Sequence, residues 1–379
     1  MPASPVELGD VVRRFAPALL AAQGERLLPS QRKALWDIAG CRTAAMGGHR
    51  YRCEDCGEDF WVYHGCRNRS CPACHGHQIR QWLALRHGQV LPCPYYHLVA
   101  TVPASMRALF LSDQKSLYGL FMKVIAQSIL QLLGEPRFLG ATPAMLAVLH
   151  TWTNDLQYHP HVHVLISAGG VTGDGTHWQW PKHKRFLLPV KVLSALIRKR
   201  MRALIKKRYP QHYATLPKAT WTQGWNTFCK PCGPHPEAVL NYLARYVHRI
   251  ALTNARIETM DDHHVQFRVK NRRTGQWRSM RLRGEEFLRR FVMHILPRGF
   301  HKVRYYGLWH HNKRPQRHQA RLLLAAHTKP DTPDSTSNAT DLQPATMPTD
   351  FTEVFTPTCP RCNSQRIVLV QQLPRNRSP

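Results

Sequence analysis

Two histidines separated by one valine, His161-Val162-His163, run directly into the apolar stretch Val164-Leu165-Ile166. Branched apolar residues after a polar turn read as a buried strand. Side chains alternate along a strand, so His161 and His163 share one face while Val162 points into the core. Two imidazoles on one face can hold one metal ion. His150 closes an earlier apolar run, MLAVLH. If that run pairs antiparallel with 161–167 through the turn TNDLQYHP, His150 reaches the same face. Asp155 and His159 remain alternatives for a third ligand.

A second group of reactive side chains lies about eighty positions later, in HPEAVLNYLARYVHRI, residues 235–250. Pro236 and Glu237 suit a helix first turn. Tyr242 and Tyr246 are four apart and share a face. Val239, Leu243, Val247 and Ile250 form the core stripe, with Arg245 and Arg249 just beyond the tyrosines and His248 on the far side. A divalent cation on the histidines would polarise a scissile phosphate as a Lewis acid. A tyrosine phenol held in line could then attack the phosphorus. No water enters, so the phosphodiester bond energy is kept for resealing. Two tyrosines one turn apart support cleavage and rejoining of two DNA ends.

Charge points to the same substrate. The chain of 379 residues carries 53 Lys and Arg against 23 Asp and Glu, a formal net charge of +30. That excess implies a polyanionic partner, most simply nucleic acid. No uninterrupted apolar run approaches the roughly 20 residues of a membrane span. The N-terminus lacks the order of a secretion signal, and no Walker-type phosphate loop is present. The expectation is a cytoplasmic, nucleoid-associated prokaryotic protein that acts on DNA without a membrane partner or nucleotide triphosphate.

Eight of the eleven cysteines fall into Cys-x-x-Cys pairs at 53/56, 71/74, 229/232 and 359/362. In a reducing compartment that spacing reads as metal ligation. Cys53, Cys56, Cys71 and Cys74 are expected to form one closed structural zinc site, with Gly57 supplying the turn after the first knuckle. Cys66, His64, His75 and His77 could replace a ligand or hold a second ion. Arg67 and Arg69, on the loop between, suit phosphate contact. Cys229/Cys232 is either a turn with free thiols or a partner of Cys359/Cys362.

The elements that must position these groups follow from periodicity. Helices are expected over 7–38, with a fresh start at Pro29, as either a lead-in or a DNA contact, and over 78–86 and 104–134. A further helix over 190–207 has a basic face including Arg198 and Arg202. Strands are expected at FWVY (60–63), 94–102, the two histidine strands and 219–228. A hairpin turns at 271–275, a helix lies near 284–295 and a strand near 301–308. Residues 327–358, rich in Thr, Pro, Asp and Ser, read as a disordered linker.

Taken together, HVH followed by YLARY resembles the two-tyrosine HUH endonucleases. With CEDCG…CRNRSCPAC before them, the chain resembles the rolling-circle insertion-sequence transposases that carry an N-terminal zinc-binding domain, over most of residues 30–310. The resemblance implies an α+β fold, an HUH-type palm with a central antiparallel sheet and flanking helices. It also implies Mg²⁺ or Mn²⁺ on the histidines, 5′-phosphotyrosine intermediates and single-stranded or hairpin DNA at the element's ends. The expected division is 1–90, helical lead-in and zinc-binding domain; 91–325, HUH nuclease/transposase domain; and 326–379, a disordered C-terminal tail of linker and terminal Cys-x-x-Cys. A plasmid replication initiator or relaxase with the same chemistry, or a non-catalytic zinc-dependent DNA-binding regulator, are the alternatives.

Overall fold

The computed structural model describes residues 6–76, 90–182, 186–232, 247, 249–271, 274–327 and 357–376. The helices expected over 78–86 and across the tyrosines, up to residue 246, lie outside the described residues. The chain opens with helices α1 (Leu8–Gln23) and α2 (Pro29–Ala39). Pro29 takes the first helical position, where its missing N–H costs nothing, and the Gln31 side chain accepts from Leu28 N at 2.8 Å. Strands β1 (Gly48–Cys53), β2 (Asp59–Tyr63) and β3 (Tyr95–Thr101) follow, then α3 (Arg107–Ser112) and α4 (Gln114–Gly134). The histidine strands are β4 (Ala141–Trp152) and β5 (Tyr158–Thr172), with β6 (Trp178–Gln179) paired to β5. Next come α5 (Val190–Arg208), α6 (Pro210–Thr215), α7 (Ala219–Thr222) and β7 (Thr227–Pro231). Strands β8 (Ile257–Met260), β9 (His264–Lys270) and β10 (Trp277–Arg283), helix α8 (Gly284–Val292), β11 (Val303–Gly307), α9 (Arg314–His327) and β12 (Ile367–Leu373) complete the order.

The central sheet runs β11-β4-β5-β3-β7, every pairing antiparallel. Its two faces bury different things because the pleat alternates. Val162, Val164 and Ile166, with Leu98, Ala147 and Leu149, pack against the apolar sides of α4 and α5. The opposite face presents Tyr95, Leu146, Val148 and Leu165 to Trp309, Ala320 and Leu324 from the β11–α9 region and to Val247. The fold is therefore α+β with the expected palm. Helix α4 is long and apolar enough to cross a membrane by length and composition. Here its Leu117, Phe121, Ile125 and Ile129 are fully buried in the sheet–helix core.

A second core joins α1, α2 and α8 to the three-stranded sheet β10-β9-β8. Phe15 lies so close to Gly284 that an added Cβ there would sit 2.2 Å from its ring. The N-terminal helices thus share a core with residues near 251–295, far along the chain.

Several expectations need correction. The stretch 219–228 is not one strand: Thr220 N donates to Pro217 O at 3.0 Å and opens the short helix α7, and the strand begins only at Thr227. That bend buries Trp221 and Trp225 beside α5. The hairpin around 271–275 gains a third strand, β8. Helix α9 has no counterpart among the expected elements, its apolar residues being bunched at 320–326 after a run of Arg, His and Gln. Residues 357–376 are not part of a disordered tail, because β12 pairs along the whole of β1 in a sheet ordered β12-β1-β2.

Candidate metal centre

The strand register sets the histidines together. His150 on β4 lies directly opposite His161 on β5, and Val148 lies opposite His163. Cross-strand partners share a face, so all three rings project from the palm face away from α4 and α5. One ring nitrogen from each lies within 4.8 Å of the others. Ring centroids are 4.6 Å apart for His150–His163, 4.9 Å for His161–His163 and 5.5 Å for His150–His161. Of the third-ligand alternatives, His159 Nδ1 faces the Arg107 guanidinium at 2.7 Å and Asp155 accepts from the Thr153 hydroxyl. His150 is the one that joins the group.

Neighbouring groups orient these rings. His161 Nδ1 donates to the His159 carbonyl at 2.7 Å, because a carbonyl oxygen can only accept. That fixes the tautomer and puts a lone pair on Nε2. His163 Nδ1 meets Nε2 of His97 at 2.8 Å, the two rings stacked at 5.0 Å. His97, on β3, belongs to the same face, and no short motif marked it. Its only signal is a polar residue in an otherwise apolar strand. His150 stacks on Trp152 at 4.6 Å. Burial pushes His163 well below the usual histidine range, helped by the adjacent His150, His161 and His97 and by Arg249. Burial, then Lys230 and His161, holds His97 down at about 4. Both rings are therefore neutral near pH 7, the form that ligates metal.

Tyr242, Arg245 and Tyr246 lie outside the described residues. Val247, which follows them, is buried with Val148 and Leu165 on the histidine face. Arg249 is exposed and acts on the charge of His163. Its carbonyl accepts from Lys302 Nζ at 3.4 Å, and burial beside Arg69 lowers that lysine to about 8.

The cysteines are grouped otherwise than expected. Cys71 and Cys74 do not join Cys53 and Cys56; they join Cys41 and Cys66. Their Sγ atoms lie 3.6 Å apart for Cys41–Cys74 and Cys41–Cys71, and 3.8 Å for Cys66–Cys74. Backbone N–H groups of Cys66, Arg67 and Asn68 point at sulfurs of the cluster at 3.4 Å, as donors to thiolate do. Hydrogen bonding from Cys66 and Cys71 brings Cys41 down to about 7. Cys41, alone after α2, belongs to no pair and so escaped the spacing argument. Cys53 and Cys56 instead meet Cys359 and Cys362. His64 turns toward His49, the ring nitrogens 3.4 Å apart. Cys229 on β7 is on the palm, buried enough to be pushed up to about 12. It is no partner for Cys359.

The arginines divide by position. Arg69 does not suit phosphate contact: its guanidinium donates to the carbonyls of Phe300 (2.7 Å), Leu296 (2.9 Å) and Pro297 (3.0 Å), locking the cysteine loop to the palm. Arg67 is exposed, with φ of 56°. Arg198 and Arg202 spend one donor each locally, on Gln223 O and the Tyr213 hydroxyl. They sit on α5, across the sheet from the histidines.

Comparison with known proteins gives the family. Residues 144–317 match the model described as "Putative transposase", and residues 11–102 match "Transposase zinc-binding domain". The chain is 37% identical over 340 residues to "Putative transposase y4qJ" of Sinorhizobium fredii, covering 84% of each chain. It is 25% identical over 294 residues to "Transposase for insertion sequence element IS801" of Pseudomonas savastanoi pv. phaseolicola, covering 71% of this chain and 68% of that one. No solved structure matches. With a zinc-binding domain that takes in Cys41 through Cys74 and a transposase match that spans the histidine strands, the chain belongs to the IS91-type family of insertion-sequence transposases.

Proposed function

We propose that the chain nicks and rejoins single-stranded DNA at element ends by tyrosine attack, through 5′-phosphotyrosine intermediates. The observation that carries this reading is the convergence of His150, His161 and His163 on one face of the palm, their nitrogens within 4.8 Å. Pre-oriented imidazoles, the buried His163 among them held neutral, fit a divalent ion, and three protein ligands leave positions open for substrate. The ion, when bound, supplies Lewis-acid polarisation of the scissile phosphate. Imidazole is a poor donor for Mg²⁺, so Mn²⁺ is the better fit of the two.

Tyr242 and Tyr246 are the nucleophiles. Their assignment rests on the sequence and is supported by Val247, buried on the histidine face. The phenolic oxygen bonds to phosphorus, the P–O3′ bond breaks, and the phenolic proton passes to the departing 3′ oxygen. Arg249, and Arg245 four positions earlier in the sequence, offset the charge that builds on phosphorus. One tyrosine holds a first strand while the other attacks a second. The net charge of +30 supplies most of the DNA affinity through phosphate contacts, with the exposed Arg67 and Arg202 and the half-buried Arg198 among the contributors. The α5 arginines face away from the histidines, so they would hold DNA outside the reacting segment. We place this activity in the cytoplasm, at the nucleoid.

The test is incubation with end-labelled single-stranded oligonucleotides from the element ends and Mn²⁺. A covalent adduct is expected, absent in a Tyr242→Phe, Tyr246→Phe double variant. No adduct with the unaltered protein would leave DNA binding without catalysis as the reading.

A further inference from the structure

Cys53, Cys56, Cys359 and Cys362 come from opposite ends of the chain, and the matched zinc-binding domain stops at residue 102. Their Sγ atoms all lie within 4.8 Å of one another, with Cys53–Cys362 at 3.5 Å and Cys56–Cys359 at 3.6 Å. Four sulfurs at about 2.3 Å from a tetrahedral zinc stand about 3.8 Å apart. The observed separations match that and are far beyond the roughly 2.05 Å of a disulfide.

The two halves repeat one backbone design. In the first, Gly57 N donates to Cys53 O at 3.0 Å and Cys53 N to Glu58 O at 2.9 Å. In the second, Asn363 N donates to Cys359 O at 2.9 Å and Cys359 N to Ser364 O at 2.9 Å. The residue after each second cysteine is left-handed, Gly57 at φ 71° and Asn363 at φ 58°. Glycine and asparagine are the residues that tolerate that region. Two such knuckles beside a three-stranded antiparallel sheet make a zinc ribbon. Contacts outside the cysteines support the pairing. Arg366 reaches Asp55 at 3.0 Å and Ser364 Oγ donates to Asp55 at 2.5 Å. Strand β12 pairs with β1 from Cys53↔Ile367 to Gly48↔Leu373.

We propose that these four cysteines form a second structural zinc site, distinct from Cys41/Cys66/Cys71/Cys74, that fastens the C-terminal segment into the N-terminal module. The chain then binds two zinc ions, and the second is lost when its last residues are lost. The test is zinc content of the purified full chain by elemental mass spectrometry, together with alkylation of cysteines mapped by peptide mass spectrometry. Two zinc ions per chain are expected, falling to one in a Cys359→Ser, Cys362→Ser double variant. Cys362 is exposed in the fold, so as a free thiol it would alkylate readily. In the full chain it should stay protected until a chelator is added, together with Cys53, Cys56 and Cys359. One zinc in the full chain would overturn the proposal. So would two in the double variant, protection that a reductant rather than a chelator removes, or alkylation of Cys359 and Cys362 while Cys53 and Cys56 stay protected. Should the double variant fail to fold, the alkylation pattern of the unaltered chain decides alone.

Discussion

At His163 the chemistry depends on a neighbour that belongs to no motif. His97 contacts Nδ1 of His163 at 2.8 Å and so determines which nitrogen can ligate. Outer-sphere partners of this kind are worth about 10- to 100-fold in metal affinity. His97→Phe should raise the Mn²⁺ concentration giving half-maximal cleavage by that factor, with the saturating rate changed less. An unchanged metal requirement would mean that His97 only packs. His161→Ala or His163→Ala should abolish adduct formation, a loss of at least about 100-fold given the Lewis-acid contribution. DNA affinity in a filter-binding titration should hold within about 3-fold, since phosphate contacts supply it. Equal loss of binding and cleavage would contradict that division. His161 and His163 were legible because strand alternation needs only local spacing, and His150 because a short polar turn joins its strand to theirs. His97 was not, since its place depends on the pairing of β3 with β5. Cys41 escaped in the same way, a lone residue made a ligand by the close of α2 over the loop at 66–74.

Among the elements, the loop at 66–74 holds the N-terminal module to the palm through Arg69. Hydrogen bonds from a charged donor contribute at most about 1.5–3 kcal/mol each, and the three from Arg69 are discounted because its side chain is only half-buried. Arg69→Ala should therefore lower unfolding stability by about 2–4 kcal/mol in a denaturant titration and leave single-stranded DNA affinity unchanged. Lost affinity at constant stability would return Arg69 to the phosphate-contact role that its position in the sequence suggested. The palm strands and α4, α5 and α8 were readable from apolar period. Burial on both faces of β4 and β5, or on one face of a helix, is written into the residues themselves. The start of β7 and the whole of α9 were not: the first is set by where Trp221 and Trp225 find cover, the second by a few apolar residues finding the sheet.

Across the described residues, three buried clusters and a small sheet that joins residues 48–63 to 367–373 make up the fold. Buried neutral histidines make its stability acid-sensitive. His294 donates from Nε2 to Leu156 O at 3.1 Å and is held at about 4 by burial. Its unfolded value is near 6.5, so below that pH the unfolded chain binds the extra proton. Stability from this group is present above pH 6.5 and is lost as pH falls toward 4, by on the order of a few kcal/mol. Unfolding titrations at pH 7 and pH 5 should show the loss, and His294→Gln should shrink it. A pH-independent difference between variant and parent would remove His294 as the cause. The end-to-end closure was hidden from the sequence because the interval between Cys56 and Cys359 carries no pattern that announces their meeting. The transposase reading itself is tested most directly by mapping the covalent DNA–peptide adduct by mass spectrometry. A 5′-phosphate on Tyr242 or Tyr246 is expected, formed only with a divalent ion and absent in His163→Ala. An adduct on any other residue, or one that forms equally well in His163→Ala, would contradict it.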